Sequence, residues 1–258
     1  FALSGFQKSI TDNMNIARIA ITAGEPAGIG PDLLIQQVQS SNLEACHRTE
    51  WVVIADPDLL RQRAKQLNLP LHIREFDPSS APIAYAPSEL CVLPVALTGE
   101  CTTGRLNQQN AHYVLSTLDK AITGCKEGVF DAMVTAPVHK GIINDAGIRF
   151  SGHTEYLAET TQTPQVVMML ATGELRVALV TTHLPLKEVP DQISASHVEN
   201  VCRILQLDLK KHFALESPKI IVLGLNPHAG EDGHMGREEI DHIIPAMNKL
   251  NDEGFDLI

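Results

Sequence analysis

Short apolar runs alternate with amphipathic segments along the chain. The apolar runs predict strands at 16–22, 51–55, 131–137 and 220–225, and a hairpin of 166–170 with 175–182 around Gly173. The amphipathic segments predict helices at 33–38, 58–67, 107–123 and 192–213. Residues 70–105 are rich in proline and serine and predict only strand fragments and loops. This alternation is typical of helices packed on a largely parallel sheet, so the pattern predicts an α/β fold.

The clearest periodicity lies in the segment 107–123. Its apolar residues recur at helical spacing and would share one face: Ala111, Val114, Leu115, Leu118, Ala121 and Ile122. Gly124 or Gly128 can end this helix.

Composition narrows the function classes. The chain has 258 residues, of which 44% are hydrophobic, and carries a net charge of −11. These values predict a globular protein without the basic patch that nucleic-acid binding needs. Five scattered cysteines without a C-x-x-C pair argue against a disulfide framework and indicate a reducing compartment. No run approaches the ~20 apolar residues of a membrane span.

Both ends of the sequence are unusual. Residues 1–13 lack the features of a signal peptide, and we expect an added leader with the native sequence starting at Met14. The last residues form an apolar triplet that resembles the entry to another element, so we expect the intact gene product to be longer than this chain.

Histidines follow three of the predicted strands. His139 comes after 131–137, His183 after the hairpin and His228 after 220–225. In open α/β sheets, ligand crevices lie beyond the carboxyl ends of strands, so these side chains are expected to meet in one cleft. Neutral imidazole is a good ligand for Zn²⁺ or Co²⁺, which makes His183 and His228 candidate metal ligands. The basic pair His139 and Lys140 fits a structural or phosphate-facing role.

Two histidines do not complete a catalytic metal site, which commonly uses three protein ligands. His234 could be the third, although its spacing from His228 matches no tight helical pair. A residue beyond Ile258 or on another subunit could equally supply it.

Two further motifs allow a structural and a functional reading. In SGHTEYLAE, Ser151 or Thr154 could cap a helix that begins near Glu155; alternatively, His153 and Thr154 could bind a phosphate at the helix N-terminus. TAGEPAGIGPD is not a dinucleotide fingerprint, because Leu33 occupies the position of its last glycine, and it lacks the lysine of a phosphate-binding loop. Its glycines and Pro31 fit a tight strand-to-helix turn, and direct cofactor contact stays open.

Several long motifs together resemble the 4-hydroxythreonine-4-phosphate dehydrogenase family, in order and at similar spacing. They are TAGEPAGIGPD, TAPVHKGIINDAGIRFSGHTEYLAE, VVMMLATGELRVALVTTHLPLKEV and GLNPHAGEDGHMGREEIDHIIPA. The resemblance implies NAD-dependent oxidation of 4-phosphooxy-L-threonine, with NADP as the alternative cofactor, and a divalent metal (Zn, Mg or Co). The resulting 2-amino-3-oxo-4-phosphooxybutanoate would decarboxylate to 3-amino-2-oxopropyl phosphate, a precursor of pyridoxal 5′-phosphate.

The resemblance also implies an architecture and site residues. It implies a cytoplasmic homodimer with two α/β/α domains similar to those of isocitrate and isopropylmalate dehydrogenases, an intervening cleft, and an active site near the dimer interface. On this reading the first domain spans 14–128 and is completed by a later segment, and the second spans 129–258. His183 and His228 would bind the metal, with the third ligand expected beyond Ile258, while His153 and Thr154 would bind substrate. No general base is assigned.

Three alternatives remain. A paralogous dehydrogenase could act on 4-phospho-D-threonate or 4-phospho-erythronate by the same chemistry. A non-catalytic metabolite-binding fragment would also retain the fold. A metal-dependent hydrolase is compatible with two histidines, but no carboxylate lies in the expected neighbouring motif.

Overall fold

The computed structural model describes residues 16–39, 48–173 and 175–258. The expected leader at 1–13 lies outside the described residues. The chain forms two compact units that divide between Gln162 and Thr163. Residues 129–162 belong to the first unit because their strand pairs with the first strand of the chain. The predicted domain boundary after residue 128 stays a prediction.

The first unit is built on a parallel sheet of five strands. The strands are β1 (Ala17–Thr22), β2 (Thr49–Ala55), β3 (His72–Glu75), β4 (Glu89–Pro94) and β5 (Ala132–Thr135). Their order across the sheet is β3-β4-β2-β1-β5. The helices are α1 (Gly30–Gln37), α2 (Pro57–Leu67), α3 (Ala111–Lys126), α4 (Lys140–Asp145) and α5 (His153–Thr161). The parallel central sheet confirms the predicted α/β class.

Alternate residues of β2 pack on opposite faces of this sheet. Val52 and Ile54 join the cluster that contains α3, whereas Val53 and Ala55 join the cluster that contains α1 and α2. Because both faces of the strand are buried here, residues 52–55 of β2 form a continuous apolar run rather than an alternating pattern. The first unit therefore has an α/β/α layering.

Helix α3 confirms the predicted periodicity. A single 3₁₀ turn, Gln108–Asn110, precedes it, and the Asn107 side chain accepts a hydrogen bond from the Gln109 amide at 3.0 Å. Gly124 lies inside the helix, where an added Cβ would collide with the Phe130 ring. Gly128, at φ +73°, follows the helix end. Of the two glycines, Gly128 is therefore the one that suits the end of the helix.

The second unit contains two small sheets. Strands β6 (Met168–Thr172) and β7 (Leu175–Leu179) form the predicted antiparallel hairpin, and β8 (Lys219–Ile220) pairs in parallel with β9 (Asp256–Leu257). The helices are α6 (Val189–Gln192), α7 (Ala195–Phe213) and α8 (Ile244–Asp252). Among the described residues, no helix of either unit has the length and apolar character needed to cross a membrane.

Two local predictions were wrong. The expected buried strand at 220–225 is a strand only at its start, and Ile221 and Leu223 are 70% and 78% exposed, because β9 pairs with two residues alone. The second error concerns α5, which begins at His153 rather than near Glu155. Its N-cap is Gly152, without a side-chain cap, so neither Ser151 nor Thr154 caps it.

Candidate functional site

The loops after β1 and β5 meet at the carboxyl edge of the five-stranded sheet. Helix α1, which follows β1, and helix α4, which follows β5, pack on opposite faces of the sheet. A crevice at such a switch point is the usual ligand site of open α/β sheets. The Glu25 amide donates to the Pro137 carbonyl at 2.9 Å, and a Cβ on Gly24 (φ +71°) would collide with the same oxygen. The glycine thus permits the two loops to lie in contact.

Glu25 is a buried carboxyl group in this loop and was not predicted as a site residue. It is only 6% exposed, and its side chain accepts a hydrogen bond from the Ala27 amide at 3.1 Å. Burial raises the pKa of Glu25, while the Ala27 amide and the nearby His139 act in the opposite direction. The sequence feature that could have identified Glu25 is its position between Gly24 and Gly28 in a tight turn.

His139 caps helix α4. Its Nδ1 accepts a hydrogen bond from the Ile142 amide at 3.0 Å, so in the neutral ring the proton lies on Nε2. In this tautomer Nε2 is a hydrogen-bond donor. This cap is a structural role for His139, and the phosphate-facing alternative for the His139–Lys140 pair stays a prediction.

His153 and Thr154 lie in the first turn of α5, where backbone N–H groups have no side-chain cap. The Nε2 atom of His153 is buried, and it has no hydrogen-bonding partner among the described residues. Burial, and secondarily the charge of Lys140, lower the pKa of His153, which is therefore neutral at neutral pH. A neutral imidazole, a lysine and free amide groups are suitable donors for an anion.

The depressed pKa of His153 predicts a pH effect on stability. An unfolded chain protonates this histidine below its ordinary pKa of 6.5, whereas the folded protein resists protonation to lower pH. The free energy of unfolding should therefore fall as the pH decreases from about 6.5 towards the folded pKa. His153→Asn should lose less stability than the parent between about pH 7 and pH 5 in urea titrations. The exposed His112, replaced by Asn, serves as control; equal pH dependence of parent and His153→Asn would contradict the assignment.

His183 follows β7 in the second unit. Its side chain is exposed and its backbone is left-handed, with φ +57°. A non-glycine residue in this region is uncommon, and such residues concentrate at functional sites.

His228 lies in the turn Pro227–Gly233, after the short strand β8. Its side chain is also exposed, and its φ is +51°. Four successive residues after it, through Asp232, share the left-handed conformation. Asn226 and the buried Glu239 hold this loop through hydrogen bonds to each other. The sequence analysis did not select either residue, because a contact between residues so far apart along the chain leaves no local pattern.

His183 and His228 both have exposed imidazoles, which are suitable ligands for a divalent cation. Both lie in the second unit, at positions with left-handed backbone conformation. However, the described part of the chain contains no group of three His, Cys, Asp or Glu residues that could hold a metal ion. His183 and His228 can therefore supply two imidazole donors, and the described residues place no third ligand with them. The predicted third ligand and the predicted common cleft stay predictions.

Comparison with known proteins identifies the family. Residues 47–258 match the family described as pyridoxal phosphate biosynthetic protein PdxA. The chain belongs to the PdxA family. Among curated relatives, the 4-hydroxythreonine-4-phosphate dehydrogenase of Thioalkalivibrio sulfidiphilus is 54% identical over 93% of this chain and 71% of its own length. That of Pseudomonas syringae pv. tomato is 54% identical over 95% of this chain and 73% of its own length.

A solved PdxA-like structure agrees with this result. The 4-hydroxythreonine-4-phosphate dehydrogenase from Klebsiella pneumoniae superimposes with a TM-score of 0.84 at 30% identity, covering 94% of this chain and 74% of that one. The resemblance inferred from the motifs is confirmed, and the chain is an oxidoreductase of pyridoxal phosphate biosynthesis.

Proposed function

We propose that the protein oxidises 4-phosphooxy-L-threonine with NAD, with NADP as the alternative cofactor, in a reaction that depends on a divalent metal. The product 2-amino-3-oxo-4-phosphooxybutanoate then decarboxylates to 3-amino-2-oxopropyl phosphate. The observation that carries this proposal is the identity with relatives named 4-hydroxythreonine-4-phosphate dehydrogenase, which extends over almost the whole chain. The enzyme is proposed to act in the cytoplasm.

Substrate binding is assigned to His153 and Thr154. The first turn of α5 offers uncapped amides, and the buried Nε2 of His153 needs a partner. Lys140 lies close enough to lower the His153 pKa, and its positive charge would favour the phosphate of the substrate.

Metal binding is assigned to His183 and His228, with Zn²⁺, Mg²⁺ or Co²⁺ as the ion and a third ligand expected beyond Ile258. When bound, the ion would supply Lewis-acid polarisation of the substrate hydroxyl, and NAD would accept the hydride. The role of the protein is to hold neutral imidazoles, which leave the ion its full charge. The general base stays unassigned.

The substrate assignment is tested with the full-length gene product and a panel of phosphorylated hydroxy acids. NADH formation and product masses should favour 4-phosphooxy-L-threonine over 4-phospho-D-threonate and 4-phospho-erythronate. Faster turnover of either alternative would assign the protein to a paralogous activity. Binding of all three without turnover would indicate a metabolite-binding protein.

A homodimer is also proposed, supported by an exposed apolar face of the β6–β7 hairpin. Leu170 pairs directly with Val177, and Leu175 lies two residues from Val177 on the same face. These side chains are 60%, 38% and 62% exposed, respectively. An isolated two-stranded hairpin is marginally stable in water, so a covering partner would stabilise it.

This dimer predicts the effect of a charge on the hairpin. Leu175→Lys should convert the dimer to monomer in light scattering, because a buried unpaired ammonium is costly. The matched control is Leu207→Lys on α7, because Leu207 is similarly exposed, at 64%, and does not belong to the hairpin. A dimeric Leu175→Lys variant would exclude this face as the interface.

A further inference from the structure

The loop that presents His228 has an unusual backbone. Residues 228–232 all have positive φ values, between +44° and +82°, and only Gly230 among them is a glycine. For L-residues each such conformation is unfavourable, so the run persists only if the surroundings hold it.

Asn226 and Glu239 provide this hold. One carboxylate oxygen of Glu239 accepts the Asn226 backbone amide at 2.7 Å, and the other accepts the Asn226 side-chain amide at 2.9 Å. The same side-chain amide also donates to Glu238 at 2.6 Å. Glu239 is only 3% exposed, so its two bonds lie in a region of low water access. Charge-assisted hydrogen bonds of this kind are among the stronger ones in proteins.

The far end of the loop packs directly on the same pair. Gly236, at φ +132°, lies so close to Asn226 that a Cβ would collide with its amide group. A Cβ on Gly230 would lie 3.2 Å from a Glu239 carboxylate oxygen. The Met235 amide donates to the Gly230 carbonyl at 2.9 Å, which closes the turn. The Asn226–Glu239 pair thus contacts the start, the middle and the end of the loop.

We propose that Glu239 is a positioning residue that holds the backbone of the loop carrying His228 in the conformation used for metal binding. The inference rests on the proposed metal role of His228. Glu239 lies in the π-helical turn Glu239–Ile243, which continues into α8, so the loop is tied to a regular element rather than to another loop. Residues that orient a metal ligand commonly change metal affinity about 10–100-fold when they are replaced.

The test uses Glu239→Gln in the full-length gene product, with Co²⁺ alone as the probe. The variant keeps the side-chain size but places an NH₂ group against one of the two Asn226 donors. Co²⁺ should bind about 10–100-fold more weakly than to the parent, with altered visible absorption bands. Amide exchange should accelerate in residues 226–236. Asp241→Asn, at an exposed ion pair with Arg237 in the same helical segment, is the matched control and should change neither readout.

A second variant covers the case in which Glu239→Gln does not fold. Asn226→Ala removes the side-chain donor and leaves the backbone bond to Glu239, so it should show the same two effects at smaller size. Unchanged Co²⁺ affinity and spectrum in a folded variant would overturn the inference. A third variant, His228→Ala, tests the metal assignment separately from the positioning role. If His228→Ala binds Co²⁺ as the parent does, the metal assignment itself is wrong. If His228→Ala weakens binding and Glu239→Gln does not, only the positioning role is wrong.

Discussion

His228→Ala in the full-length gene product should lower metal-dependent NADH formation by about 10³-fold or more. Lewis-acid stabilisation contributes several kcal/mol, and each ~1.4 kcal/mol corresponds to a factor of ten in rate. His183→Ala should have a similar effect, because both imidazoles are assigned to the same ion. The measurement is steady-state NADH formation at saturating substrate, with bound metal determined on the same sample.

Two further histidines sharpen this experiment. His112 is exposed on α3 of the first unit, and His112→Ala should leave both activity and metal content unchanged. His234→Ala decides the open question of the third ligand, since a loss equal to that of His228→Ala would place His234 in the site. Normal activity and metal occupancy in His228→Ala would contradict the ligand assignment.

Glu50→Ala should reduce the free energy of unfolding by about 3–5 kcal/mol, because it leaves the buried guanidinium of Arg18 without its carboxylate partner, whereas Arg74 keeps its ion pair with Glu89. Glu50 is 1% exposed on β2 and accepts from Arg18 at 2.7 Å and from Arg74 at 3.0 Å. Arg18 is itself 7% exposed, so water cannot readily replace the lost carboxylate. Urea unfolding followed by circular dichroism measures the change.

The control for Glu50 is an ion pair of the same chemistry at the surface. Asp58 pairs with Arg61 at 2.7 Å, but its side chain is 91% exposed. Exposed pairs contribute little, so Asp58→Ala should leave the unfolding midpoint almost unchanged. If Glu50→Ala and Asp58→Ala lowered the free energy of unfolding by similar amounts, the buried ion pair would not stabilise the protein as expected.

The elements predicted well from the sequence are those with a strong local pattern. Residues 52–55 of β2 are an apolar run buried on both faces, and α3 has six apolar residues at helical spacing. β3 and β4 were predicted only as fragments, since short strands among prolines have little local signal. The strand expected at 220–225 failed because apolar character alone does not say whether a neighbouring strand is present to pair with it.

The sequence predicted only those residues of the candidate site that stand in a local pattern. His183 and His228 follow apolar strands, which is a local signal, and the motifs around them carry the family resemblance. The contact of Glu25 with the β5 loop depends on the pairing of β1 with β5, which are more than a hundred residues apart. The left-handed backbone of the His228 loop depends on Glu239 in the same way. Contacts of this kind are set by the tertiary fold and leave no short-range pattern.

The central claim is most directly tested by NADH formation from 4-phosphooxy-L-threonine by the full-length gene product, before and after removal of metal with a chelator. The account predicts turnover that disappears with the chelator and returns when Zn²⁺, Mg²⁺ or Co²⁺ is added, together with loss of CO₂ from the oxidised product. Turnover that is unaffected by metal removal, or no NADH formation in the metal-loaded protein, would contradict it.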